Sequence, residues 1–256
     1  MEILVCVKRV PATGGRINLT PDGQAIDTRF LGFTVSPHEE CAVEEAVRIV
    51  EAQGGSSAVL TLGPTAAEDQ LRDAMAIGID RAILLGTDGR EFDPVATPAA
   101  IVDAIRVQEA AHGPFDLILF GNEAADTGDF QVGIRVAVAL GRPIVNGVKS
   151  LTVAGGRAAA RREAPTGGWE TYDVPLPAVV SVKEGLNLPR YPSIPGRLRA
   201  KRKEIERLEP AWSSSGPVKV GLRVPQEEGT PVEILGRGPE AAPAVVDLLV
   251  RIGVLE

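Results

Sequence analysis

Over roughly the first 145 residues, short and almost wholly apolar runs alternate with longer segments in which apolar residues recur every three to four positions. This alternation limits the fold more than any other feature of the chain. Strands covered on both faces read as unbroken apolar runs, and consecutive parallel strands need a crossover helix between them. Strands are expected at residues 3–7, 58–62, 82–85, 117–120 and 144–148, and helices at 37–53, 66–77, 95–111 and 128–140. The expected class is α/β, a parallel sheet with covering helices. The first helix carries its own start signal: Ser36 is a capping residue, Pro37 suits the first turn and Glu39 completes a capping box. Ala42, Val43, Ala46, Val47 and Val50 then share one face, which assigns Glu40, Glu44, Glu45 and Arg48 to solvent.

After Val148 the pattern changes to alternation broken by Gly155-Gly156 and Thr166-Gly167-Gly168, as expected for an antiparallel hairpin extension of the same sheet. A further apolar strand occupies residues 177–182. Past Arg207, Pro210, Ser213, Ser214, Ser215, Gly216 and Pro217 read as a linker, and a helical pattern fills 239–252. The expected organisation is an α/β nucleotide-binding domain over 1–207 and a linker with a C-terminal arm over 208–256. That arm has too little apolar surface for a core of its own, so it is expected to lie on another surface, such as that of a partner chain.

At 256 residues, 44% hydrophobic and 24% charged, the chain can bury a full core. Its net charge of −7 argues against nucleic acid as the partner of the whole molecule. Cys6 and Cys41 lie in no paired redox or metal spacing, which suits a reducing compartment. Lys8 and Arg9 interrupt the N-terminal apolar run before it reaches signal-peptide length, and no run approaches membrane-spanning length. Cytoplasmic location without membrane insertion is the expectation.

Two segments carry candidate function. Between the strand at 177–182 and a basic run, residues 184–195 hold Pro189, Pro192 and Pro195 together with Leu186, Asn187, Arg190, Tyr191 and Ile194. Proline fixes φ and removes a donor, so this segment is stiff and cannot join a sheet. It reads either as a preordered docking surface or as a rigid connector. The second segment, 120–133, follows a strand and opens a helix, which places free backbone N–H groups and a helix dipole at the carboxyl edge of the sheet, a setting that favours phosphate. Gly128 and Gly133 give a ligand room to approach, and Asp126 either caps the helix or meets a sugar hydroxyl; the alternative is a plain turn with a cap. Neither a Walker pattern nor a Gly-x-Gly-x-x-Gly fingerprint occurs, so a bound nucleotide is expected to be structural.

His38 and Cys41 sit a helical turn apart but lack companion metal ligands, no Ser-His-Asp or Cys-His set is readable, and His112 fits a helix C-terminus. The basic run of Arg197, Arg199, Lys201, Arg202, Lys203 and Arg207 reads as a solvated helix face or as a surface that steers an acidic protein.

Taken in order and spacing, these segments resemble the electron-transfer flavoprotein β subunit. The resemblance rests on the opening strand Ile3 to Val10, the helix start Ser36-Pro-His-Glu-Glu-Cys-Ala-Val-Glu-Glu-Ala-Val47, the loop Gly121-Asn-Glu-Ala-Ala-Asp126 through Gln131-Val-Gly133, and Leu176 to Val180 followed by Leu186-Asn-Leu-Pro-Arg-Tyr191, Pro195 and the run from Arg197 to Arg207. It covers about the first 207 residues. It implies an adenine-nucleotide α-hydrolase-like fold and a heterodimer in which the α subunit holds most of the FAD. AMP would lie on this chain near Cys6, Ser36, Pro37, His38, Glu39, Leu62, Gly63, Asn122, Asp126, Thr127 and Gly128, with its phosphate on the backbone of Gln131, Val132 and Gly133. The loop bearing Leu186, Asn187, Pro189, Arg190, Tyr191, Ile194 and Pro195 would dock flavin dehydrogenases such as the acyl-CoA dehydrogenases of fatty acid oxidation, and electrons would pass to a membrane quinone oxidoreductase. Where some members carry an aromatic near the flavin, this chain has Pro11, Ala12 and Thr13. Two rival readings remain: a flavin-bifurcating form with a second FAD in place of AMP, and a stand-alone adenine-nucleotide-binding stress-type module.

Overall fold

The computed structural model describes residues 1–12, 14, 17–212, 216–225 and 232–255; Thr13 and Ser213 to Ser215, named above, lie outside these. In chain order the elements are β1 (Glu2–Val7), β2 (Val10–Pro11), β3 (Phe33–Thr34), α1 (Pro37–Gln53), β4 (Ser56–Gly63), α2 (Glu68–Ile77), β5 (Arg81–Gly86), α3 (Ala96–His112), β6 (Leu117–Gly121), α4 (Val132–Leu140), β7 (Ile144–Ala154), β8 (Arg157–Glu163), β9 (Trp169–Pro175), β10 (Ala178–Val182), α5 (Ile194–Arg202), β11 (Glu206–Leu208) and α6 (Ala242–Arg251).

Nine strands form one sheet in the order β11-β5-β4-β1-β6-β10-β7-β8-β9, while β2 and β3 pair separately. The strands from β11 to β7 are mutually parallel, and β8 and β9 extend the sheet antiparallel. Strand β1 shows how two cores are built from one apolar run. Ile3, Val5 and Val7 point into the core made with α1 and α2, and Leu4 and Cys6 into the core made with α3 and α4. Because β1 pairs with β4 on one side and β6 on the other, the crossovers depart in opposite directions from this point. In open α/β sheets the crevice at such a reversal, beyond the carboxyl ends of the strands, is where ligands bind.

Strand β7 runs past the expected 144–148 to Ala154, with a register break opposite Val180 and Val182. Gly155 and Gly156 turn it into β8 with φ of 57° and 74°, the positive pair that a two-residue hairpin needs. After β9 the chain returns as β10, inserted between β6 and β7.

Three boundaries differ from the sequence reading. Helix α4 starts at Val132 rather than at 128, because residues before it close a turn in which Gly128 N–H donates to Ala124 O at 2.8 Å. Helix α5 begins at Ile194, where Ser193 accepts from Gly196 N–H at 3.1 Å, so Ile194 and Pro195 belong to a helical first turn. The basic run is helical only to Arg202. Lys203 is extended and its Nζ donates to the carbonyls of Ile79 and Asp80, which takes Arg207 into β11, the parallel edge strand beside β5.

One compact unit spans Met1–Val220 and a second spans Gly221–Glu256. In the first, Trp212 Nε1 donates to Glu91 O and Lys219 Nζ to the Glu91 carboxylate. The second contains a short 3₁₀ turn at Gly238–Ala241 and α6. Among the described residues no helix is long and apolar enough to cross a membrane.

Helix α5 rests on α2 through Gly196, where an added Cβ would collide with the carbonyl oxygen of Ala76. Backbone cannot give way as a flexible side chain does, so Gly196→Ala is expected to cost about 1–3 kcal/mol, the usual range for overpacking. Urea unfolding checks this, and an unchanged midpoint would show that α5 does not pack through this glycine.

Candidate functional site

The first turn of α1 organises the carboxyl edge. Glu39 N–H donates to Ser36 Oγ at 3.2 Å, while Ser36 N–H and Lys8 N–H donate to the two oxygens of the Glu39 carboxylate, each at 2.8 Å. The capping box therefore also holds the end of β1. Glu39 is 6% exposed, and burial pushes its carboxyl up to about 7 against the opposing pull of those hydrogen bonds. Gly121 makes the close approach possible, since a Cβ there would stand 2.8 Å from Glu39 Cγ and 3.3 Å from His38 Cβ. His38 Nδ1 accepts from Glu184 N–H at 2.7 Å and its Nε2 lies 3.6 Å from Glu123 Oε1, so one side chain touches the loops that follow β6 and β10. Cys6 is buried behind this turn, and burial followed by the Glu39 charge pushes its thiol far up; it packs as a small apolar side chain and is no nucleophile.

The loop from β6 to α4 is built from backbone contacts. Asn122 N–H donates to Val182 O at 2.9 Å, and Ala124 N–H to Asp129 O at 3.1 Å. Asp126 does not cap α4; it pairs with Lys8 Nζ at 2.7 Å. The N-cap of α4 is Gln131, and no side chain caps the helix. Its first-turn N–H groups, at Val132 and Gly133, thus lie at the carboxyl edge as donors for an anion. The two glycines of the loop serve different ends. Gly128 has φ 63° and open space around it, a turn requirement, whereas a Cβ at Gly133 would meet Ser181 Oγ at 3.0 Å and Phe120 Cγ at 3.2 Å, so its role is close helix–sheet packing. Leu62 and Gly63 stand at the end of β4, one step beyond the Val7–Thr61 pairing. The nucleotide residues expected from sequence, Cys6, Ser36 to Glu39, Leu62, Gly63, Asn122, Asp126 to Gly128 and Gln131 to Gly133, all derive from the carboxyl ends of β1, β4 and β6 and the N-termini of α1 and α4.

The segment after β10 is held on α1 by side chains that the sequence reading assigned to solvent. Glu44 and Glu45 are 4% and 8% exposed. Arg190 clasps Glu44, with Nε donating at 2.9 Å and a second nitrogen at 3.0 Å, and reaches Glu51 at 2.7 Å; its backbone N–H also donates to Glu44. Asn187 Nδ2 donates to Glu45 Oε2 at 2.9 Å and to Cys41 O at 3.0 Å, and the Cys41 thiol donates back to Asn187 O. Leu186 packs against the core. Of the expected docking residues, Leu186 and Asn187 therefore face inward, Arg190 is tied to α1 while 38% of its side chain stays exposed, and Tyr191 and Ile194 face out at 96% and 77% exposure, with Leu188 at 91% beside them. Pro189 lines a groove behind the loop and Pro195 is exposed in the first turn of α5.

Glu44, Glu45 and Leu188 escaped the sequence reading. The only available signal was that Arg190 and Asn187, in a loop too stiff to fold back on itself, required acceptors elsewhere. Within the basic run Arg197 lies 3.7 Å from Asp73 and Arg207 pairs with Glu68, while among the described residues Arg199, Lys201 and Arg202 have no ion-pair partner. Also among the described residues, no group of three or more His, Cys, Asp or Glu could hold a metal ion.

Comparison with known proteins gives this geometry a setting. The electron transfer flavoprotein domain model matches residues 26–212. The chain is 35% identical over 235 residues to the electron transfer flavoprotein subunit beta of Syntrophomonas wolfei, covering 91% of this chain and 90% of that one. It is 38% identical over 211 residues to the subunit of the same name from Bacillus subtilis, covering 82% and 79%, and 32% identical over 240 residues to that of Megasphaera elsdenii, covering 91% and 86%.

Two outcomes are expected at this edge. A folded-state carboxyl at about 7, above its ordinary 4.5, means that the native protein holds the Glu39 proton more tightly than the unfolded chain does. The resulting stabilisation is complete below about pH 4.5 and is lost as pH rises through about 7. Glu39→Gln removes this dependence, so the stability of the wild type minus that of the variant should fall between pH 5 and pH 8 in urea titrations; a constant difference would mean that Glu39 is ionised throughout. Arg190→Met strands a buried carboxylate and is expected to cost about 3–5 kcal/mol, much of it recovered by adding Glu44→Gln. A double-mutant cycle with no recovery would show that the pair is not coupled.

Proposed function

The chain belongs to the electron transfer flavoprotein family as a β subunit, and from that premise we propose that it works in a heterodimer with an α subunit, relaying electrons from flavin dehydrogenases to a membrane quinone oxidoreductase. The observation that carries the docking half of this reading is the loop after β10. Buried polar contacts on α1 fix its root, while Leu188, Tyr191 and Ile194 stand 91%, 96% and 77% exposed. A segment that is already ordered and already shows its apolar side chains to water loses little entropy when a partner covers them.

The need for an α chain is supported by a second apolar surface. Phe130, just before α4, and Ile134 and Val138 on it recur at four-residue spacing with 56%, 36% and 74% exposure, an uncovered apolar surface that fits a partner subunit. On α6, Val245, Val246 and Val250 are 40%, 49% and 50% exposed, which supports a C-terminal arm that packs on that subunit.

AMP fits the carboxyl edge of this chain. The uncapped α4 supplies N–H donors for its phosphate at Val132 and Gly133, while the N–H of Gln131, also expected there, donates to Asp129 Oδ1 at 3.2 Å; Asn122 and residues 126–128 lie alongside, with the Ser36 to Glu39 turn and Cys6 on the adenosine side. Its part is structural, since the sequence carries neither a Walker pattern nor a Gly-x-Gly-x-x-Gly fingerprint. FAD, held mainly by the α subunit, supplies the electron-accepting and electron-donating chemistry when bound. Acyl-CoA dehydrogenases of fatty acid oxidation are the proposed donors, and the cytoplasm the proposed location.

Coexpression with an α subunit, followed by an absorbance spectrum and nucleotide extraction, is expected to give one FAD and one AMP per heterodimer. Two flavins with no AMP would replace the AMP reading with a second FAD. A colourless, purine-free monomer in every pairing would overturn the proposal. In the holo-heterodimer, Ile194→Ala is expected to slow flavin reduction by a dehydrogenase roughly tenfold, the scale of an interface anchor, with flavin content unaltered.

A further inference from the structure

Behind the docking loop lies a cavity of about 790 Å³ bounded by β3, α1, α2 and residues 188–192. Val7, Val35, Val43, Ala74, Ile77 and Leu188 form apolar walls. Gln70 also lines it and is 7% exposed; its Nε2 donates weakly to Phe33 O at 3.4 Å, and its Oε1 has no partner among the described residues. A buried amide oxygen without a donor is costly, and it marks where a ligand donor would be rewarded.

The rim adds carboxylates. Burial, and then the charge of Glu184, raises the Glu40 carboxyl above its ordinary value. Burial raises that of Asp73 as well, against the downward pull of Arg197 at 3.7 Å, with Asp69 adding to the rise. Of the cations around the groove, Arg190 is held by Glu44 and Glu51, and Arg9 stacks on Phe33 at 3.3 Å with its buried Nε unpartnered among the described residues. Glu40 and Asp73 are both exposed at the rim, with Arg197 3.7 Å from Asp73, so they present carboxylate oxygens to a cation arriving there. Tyr191 lines this groove and is also 96% exposed, so the groove and the apolar prong form one continuous surface.

We propose that the groove is the receiving half of the docking surface, taking from the docked electron donor a segment with an apolar side chain for the walls, a Lys or Arg for Glu40 and Asp73, and an N–H for Gln70. This rests on the reading that the loop docks such a protein. The loop inserts outward into its partner while the partner inserts inward beneath Tyr191. Reciprocal insertion of this kind fixes orientation as well as affinity, and the carboxylates select against partners that present acidic groups there.

The test uses the holo-heterodimer and an acyl-CoA dehydrogenase that reduces the wild type. Glu40→Gln with Asp73→Asn is expected to raise KM for the dehydrogenase three- to tenfold, change kcat less than twofold and flatten the dependence of KM on salt. Gln70→Leu should raise KM at least twofold without altering the salt dependence. Unchanged KM and salt dependence in these variants, alongside a raised KM in Ile194→Ala, would overturn the groove and leave the loop reading standing. If Ile194→Ala is also silent, the loop reading falls and the groove with it. Weakened association with the α subunit in sedimentation, or a small molecule retained by the wild type in native mass spectrometry and lost in Gln70→Leu, would likewise overturn the assignment of the occupant.

Discussion

Helix α1 buries three carboxylates, Glu39, Glu44 and Glu45, and the arrangement of the carboxyl edge follows from how each is satisfied. A buried carboxylate without partners is among the most costly groups a fold can contain, so its partners are structurally obligatory. Glu39 takes the backbone N–H groups of Ser36 and Lys8, which pins the end of β1 to the helix N-terminus. Glu45 takes Asn187, and Glu44 takes Arg190. One helix therefore determines where a strand ends and where a loop from the far side of β6 must sit.

This explains why Asn187 and Arg190 of the docking loop are bound to α1 while Leu188, Tyr191 and Ile194 stay exposed. The prolines restrict the backbone but do not locate it; Arg190, bidentate on Glu44 and extended to Glu51, does. With Asn187 and Arg190 held on α1, Leu188 and Tyr191 stand at the mouth of the groove, 91% and 96% exposed, and Ile194, in the first turn of α5 capped by Ser193, is 77% exposed. The exposed apolar tip follows from the ion pair that ties Arg190 to the buried Glu44 carboxylate.

The sheet, and α1 over Pro37–Gln53, were legible in the sequence because burial on both faces produces unbroken apolar runs and because Ser36, Pro37 and Glu39 mark a helix start in a single local pattern. The carboxylates were not legible. Glu44 and Glu45 sit beside the apolar stripe, and helical periodicity places them at its border without saying whether water or a distant loop covers them; their partners lie more than 140 residues away. Strand β11 was hidden for a related reason. Three residues, Glu206 to Leu208, show no alternation, and only the exposed edge of β5 makes them a strand. The role of Gly133 also required the fold, because a packing glycine and a ligand-facing glycine look alike until Phe120 and Ser181 are in place.

The same logic bears on why a nucleotide with no reaction to undergo would be retained. Helix α4 opens at the carboxyl edge without a side-chain cap: Asp126 is drawn to Lys8, and Asp129 Oδ1 accepts from the N–H of Gln131, the residue before the first turn, at 3.2 Å. The preceding turn closes on backbone contacts, with Asn122 tied to Val182 and Gly128 to Ala124, and on the Asp129 carboxylate, which takes the Gln131 N–H. A phosphate there supplies the missing acceptor, as a capping serine does for α1, and anything that binds only the folded chain stabilises it with the logarithm of one plus its free concentration over its dissociation constant. His38 accepts from Glu184 in the docking loop and faces Glu123 in the nucleotide loop, so the two loops share one support. The proposed AMP is then a cap for α4, placed where the order it brings also serves the root of the docking loop.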